Sequence, residues 1–107
     1  MAVTLAAHSV SMTAVADATS FAGGNVGNSR QVVGMSFQGT GLTAGQRVSV
    51  RDSGTAGVGS LLADYAVTGT SAYQDLWGGR LPQMVTGVSI DSGTVAGTWV
   101  LTVFFRD

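Results

Sequence analysis

Thr98-Trp99-Val100-Leu101-Thr102-Val103-Phe104-Phe105-Arg106 is the stretch that decides the fold. Side chains of an extended chain alternate between two faces. Trp99, Leu101, Val103 and Phe105 then share one face, and Val100, Thr102 and Phe104 share the other. Aromatic and β-branched residues suit a pleated strand, so the run reads as β. A strand apolar on both faces is buried on both. In a two-layer sandwich only one face meets the core. The second face is therefore expected to be covered by the N-terminal segment or by another subunit.

Working back from that strand, Arg47–Asp52 alternates cleanly, with Val48 and Val50 inward and Arg47, Ser49 and Arg51 outward. Gln31–Phe37 puts Val33, Met35 and Phe37 on one face. Leu61–Thr68 sets Leu61, Ala63, Tyr65 and Val67 against Leu62, Asp64, Ala66 and Thr68, and Met84–Ile90 reads as one further strand. Between these lie turns at Gly39–Gln46 and Ser53–Ser60 and an irregular segment, Thr70–Pro82, which carries Tyr73, Leu76 and Trp77. Short β runs broken by frequent turn residues predict an all-β sandwich over residues 31–107.

Residues 2–16 alternate more loosely, with Val3 and Leu5, then Val10 and Met12, on shared faces. Residues 17–30 are polar and glycine-rich, with Phe21 and Val26 as their apolar anchors. A loop of that length inside a compact domain is unusual and generally functional. Residues 1–30 are accordingly expected to form an N-terminal arm and loop. Removing residues 1–16 is expected to leave the sandwich folded.

Composition narrows the function. Charged residues make up 10% of the 107, the cations are all arginine and the anions all aspartate, against roughly 25% charged in an ordinary soluble domain. Lysine and glutamate are depleted at protein interfaces and arginine is enriched there. The scattered arginines and net charge of −1 give no clustered basic face, so nucleic acid is not an expected partner. No run approaches the ~20 apolar residues of a membrane-spanning helix, and a membrane is not an expected partner either. The apolar N-terminus has no cation ahead of it and is interrupted by His8, Ser9 and Ser11, so it does not read as a secretion signal.

The chemistry of catalysis is thin. One histidine, His8, provides no nucleophile–imidazole–acid set at recognisable spacing. Asp52, Asp64, Asp75 and Asp91 border strands, where aspartate commonly forms turns. Asp52-Ser53-Gly54-Thr55 echoes Asp91-Ser92-Gly93-Thr94. Both read as strand-to-turn corners rather than Ca²⁺ loops, because Ca²⁺ takes about six to eight oxygens. The chain has no cysteine and no lysine, which removes thiolate metal sites and a Walker-type phosphate loop. No cofactor, metal or enzymatic activity is expected. Tyr73–Trp77 together with Trp99 reads as core filling, an interface anchor or a sugar-stacking platform.

From Gln31 onward, QVVGMSFQG, RVSVRDSGTAGVGSLLADYAVTGT, YQDLWGGRLPQMVTGVSID and GTVAGTWVLTVFF together resemble small virion proteins of tailed bacteriophages. The resemblance implies a jelly-roll-like β-sandwich with an extended N-terminal arm. It also implies a location on the virion as a head decoration, or cement, protein on the major capsid protein lattice, in a homo-oligomer with a trimer favoured. A tail, collar or fibre component and a carbohydrate-binding sandwich are the alternatives. On this reading the protein interface is expected to include Val3, Leu5, Val10, Met12, Phe21, Trp77, Trp99 and Phe104.

Overall fold

The computed structural model describes residues 3–6, 8–13, 16–18, 30–52, 59–85, 87–90 and 95–106. These residues form ten strands and no helix. The strands are β1 (Val3–Ala6), β2 (Ser9–Met12), β3 (Ala16–Ala18), β4 (Arg30–Thr40), β5 (Arg47–Asp52), β6 (Ser60–Ala66), β7 (Ser71–Asp75), β8 (Gln83–Val85), β9 (Val88–Ile90) and β10 (Thr98–Arg106). The expected all-β sandwich is what the chain forms. One sheet runs β1-β2-β10-β4-β7, with β8 pairing the other end of β4, and the second runs β3-β9-β5-β6. Every pairing is antiparallel.

The decisive stretch, β10, lies inside the larger sheet with β2 on one side and β4 on the other. Its inner residues meet partners of matching character. Leu101 sits opposite Met12 and Phe37, and Val103 opposite Val10 and Met35. Val10, Met12, Phe37, Leu101 and Val103 are fully buried, as are Val48, Val50, Val88 and Ile90 of the smaller sheet. Burying each such side chain contributes roughly 1.5–3 kcal/mol. Phe37 bridges the layers, its ring 5.6 Å from that of Trp99 and 5.5 Å from that of Tyr65 on β6.

Two β-bulges set the phase of this core. Between Phe104 and Phe105 the register on β4 skips from Gly34 to Val32. Val32 and Met35 thereby both face inward, and Val33 turns outward, 37% exposed. The second bulge lies on β6, where the register skips from Ala63 to Leu61. Leu62 and Ala63 are both buried, while Leu61 is half exposed. A bulge inserts one unpaired residue and shifts alternation by one. Strict alternation grouped Val33 with Met35 and Phe37, and Leu61 with Ala63, and the bulges separate both groups.

Two glycines are required by close approach. A Cβ on Gly39 would lie 2.7 Å from that of Trp99, so its absence lets the indole close over β4. Gly97 has φ +92°, and a side chain there would run into the carbonyl oxygens of Thr40 and Gly41. That crossing admits only a residue with no Cβ.

The segment set apart as an arm supplies β1, β2 and β3, and these pair within the chain's own sheets. Residues 19–29 lie outside the described residues, as do the turn portions of the two Asp-Ser-Gly-Thr corners. The span Met84–Ile90 divides into β8 and β9, which belong to different sheets. The irregular segment 70–82 contains an edge strand, β7.

Candidate functional site

The outer face of the larger sheet carries the residues left over by the core. Along β10 these are Thr98, Val100, Thr102 and Phe104. Register places Thr98 beside Thr40 and Ser71, and Val100 beside Gln38 and Tyr73. Thr102 lies beside Ser11 and Ser36, and Phe104 beside Ser9 and Gly34. Within the described residues of the single chain this face is partly covered: Val100 and Thr102 are half-buried and Phe104 is 43% exposed. Lateral neighbours within the sheet provide the partial shelter. The Ser11 and Thr102 hydroxyls share a hydrogen bond of 3.2 Å, and the Phe104 ring lies over the bare Cα of Gly34.

The two ends of this face differ. Near Thr98 the surface holds a shallow, widely open hollow of about 750 Å³, lined by Thr13, Gln38, Thr40, Ser71, Tyr73 and Trp99 among others, and mostly apolar in area. None of the described lining residues is charged. At the other end Phe104, Val33 and Met84 expose apolar area, with Met84 53% exposed beside Gln31. Gln31 in turn accepts a hydrogen bond from Arg106 Nε at 2.7 Å.

The Asp75–Arg80 turn joins the two layers at their edge. Asp75 Oδ1 accepts the backbone N–H groups of Trp77 at 2.9 Å and Gly78 at 3.2 Å. This local acceptor stabilises the turn as aspartate characteristically does. Gly78 and Gly79 both have positive φ. Trp77 is buried, donates Nε1–H to the Arg80 carbonyl at 3.0 Å, and lies 4.2 Å beneath the Arg80 guanidinium. Arg80 also donates to the Leu62 carbonyl of β6.

The outer face of the smaller sheet is built from charges. Arg47 and Asp64 form an ion pair, and Ser49 Oγ donates to Asp64 at 3.2 Å. The hydrogen bond from Arg47 holds the Asp64 carboxyl below its ordinary value, helped by Ser49 and opposed by partial burial. Arg51 donates to the Gly59 carbonyl at 3.1 Å. Here surface polar groups engage one another.

The residues singled out from sequence divide three ways. Val10, Met12, Trp77 and Trp99 are buried within the chain itself. They hold the sheets and the edge turn together; Trp99 also donates its Nε1–H to the Val95 carbonyl at 3.2 Å. Phe104 alone of the described set is substantially exposed. Val3 and Leu5 lie on β1 opposite Met12 and Val10, but their side chains, like Phe21, are outside the described residues. Tyr73, read from sequence as core filling, an interface anchor or a sugar platform, is 79% exposed, and Val33 and Met84 are exposed without having been among the expected interface residues. Gly34 was the available signal, since an isolated glycine in a strand marks a bulge or a close approach.

His8 is exposed, and its carbonyl accepts the Phe105 N–H at 2.8 Å. Among the described residues no three His, Cys, Asp or Glu side chains gather as a metal cluster would require. Compared with known proteins, the chain matches no family model, no curated protein and no solved structure.

Proposed function

We propose that this chain is a non-catalytic virion protein of a tailed bacteriophage that decorates the head by binding the major capsid protein lattice as a homo-oligomer, a trimer being favoured. The observation that carries the reading is the far end of the larger sheet's outer face, where Phe104, Val33 and Met84 are each exposed around the Gln31–Arg106 pair. Exposed apolar groups clustered on a low-charge surface suit a protein partner. Connectivity supports a jelly-roll reading: β2-β10-β4-β7 faces β3-β9-β5-β6, and the chain repeatedly crosses between the sheets. Repetition of one modest contact over a lattice converts weak single-site binding into firm attachment.

The test is electron microscopy of phage heads with the chain added back, read as occupancy on the outer shell. The double variant Phe104→Asp, Met84→Asp leaves the fully buried residues untouched and should lower occupancy by about tenfold or more. Absence of the chain from purified particles, or equal occupancy by the double variant, defeats the reading.

A further inference from the structure

The concavity at the Thr98 end of the larger sheet is separate from the far end that the proposed capsid contact uses. Its floor is two rows of the register, Thr98-Thr40-Ser71 and Val100-Gln38-Tyr73. Thr13, at the end of β2, adds another hydroxyl to the lining. The volume of about 750 Å³ falls in the range of small-molecule sites, roughly 300–1,000 Å³.

Three features specify the ligand. Among the described residues the lining holds no charged side chain, so these residues supply no counter-ion for a phosphate, a sulfate or an ammonium group. It does hold hydroxyls and an amide, which both donate and accept hydrogen bonds. Among the described residues no protein group engages the side chains of Thr40, Ser71, Thr98 or Gln38, in contrast to Ser11–Thr102 one row away and to Arg47–Asp64–Ser49 on the other sheet. Tyr73 stands 79% exposed at the border of this floor. A tyrosine offers a flat apolar surface with a polar tip. Unspent neutral hydrogen-bonding groups beside an exposed ring complement a molecule that is hydroxylated at its rim and apolar on its face.

We propose that this concavity binds a neutral saccharide of about two to three rings, with Tyr73 stacking against one ring and Gln38, Thr40, Ser71 and Thr98 meeting its hydroxyls. The rigid strands β4, β7 and β10 fix these groups in place, so little ordering accompanies binding. Recognition through one ring and a few neutral hydrogen bonds gives weak single-site affinity, of order 1 mM.

The experiment uses the whole chain, free in solution, and is independent of whether it decorates a head. Maltotriose, lactose and N,N′-diacetylchitobiose are titrated to about 20 mM while ¹H–¹⁵N amide shifts are followed. At least one sugar should give saturable shifts confined to residues 38–40, 71–73 and 98–100. Tyr73→Ala, at an exposed position, should keep the remaining spectrum and weaken binding by about tenfold or more, while Tyr73→Phe, which keeps the ring, should stay within about threefold. No saturable shift with any of the three sugars overturns the proposal. So do shifts centred elsewhere, or a Tyr73→Ala variant that binds as well as the parent.

Discussion

The two faces of β10 differ in composition and in fate: the inner one is apolar throughout, and the outer one mixes Val100 and Phe104 with Thr98, Thr102 and Arg106. Trp99, Leu101, Val103 and Phe105 are buried against the second sheet, whereas Val100 and Thr102 are half covered and Phe104 is 43% exposed. Composition and position agree: the apolar inner face meets another layer, and the mixed outer face is flanked, among the described residues, by its lateral neighbours on β2 and β4. A central strand thus carries a valine and a phenylalanine among threonines on its outer face while both neighbouring strands flank it.

That contrast can be broken most severely by removing a neighbour. Deleting residues 1–16 takes away β2, and with it the fully buried Val10 and Met12 opposite Val103 and Leu101. Losing two such side chains costs about 2–5 kcal/mol each, comparable with the whole stability of a small domain. The deletion should abolish cooperative thermal unfolding by circular dichroism; a sharp melt would show that β2 is dispensable. The expectation from sequence was a surviving sandwich, and the pairing of β2 with β10 reverses it. Next in size, Trp99→Ala on the inner face should cost about 3–5 kcal/mol in urea unfolding. A loss below about 1 kcal/mol would mean that the indole contributes little to the core. Smallest, Thr102→Val on the outer face removes the hydroxyl paired with Ser11 and should change stability by about 1 kcal/mol or less. A larger loss would place this face under cover that the lateral neighbours do not provide.

Much of the sandwich was legible where alternation was undisturbed. Arg47–Asp52 and Thr98–Arg106 are strands over those same residues, with Val48 and Val50 inward as expected and one of the two β10 faces buried throughout. Reading failed where an extra residue slipped the phase, at Val33 and Leu62, because a bulge depends on cross-strand partners that lie far along the chain. It failed again at Met84–Ile90, where a continuous β-rich run hides a change of sheet. The weakly patterned N-terminus concealed a core strand, since four residues, Ser9–Met12, offer too short a window for periodicity to speak. The neutral concavity was less legible still. Its threonines, serine and glutamine are ordinary surface residues in sequence, and only the register of β10, β4 and β7 sets them side by side.

The bond between Ser11 and Thr102 joins residues 91 positions apart. Topologies dominated by such distant pairings fold slowly, in roughly milliseconds to seconds, because long loops must close before the contacts that reward closure can form. During synthesis β2 and β4 are made well before the strand that separates them in the finished sheet. Until β10 arrives, each presents an open hydrogen-bonding edge, and such edges invite pairing with other chains. The nascent polypeptide is thus most vulnerable to aggregation just before β10 emerges, and insertion of β10 closes both edges at once.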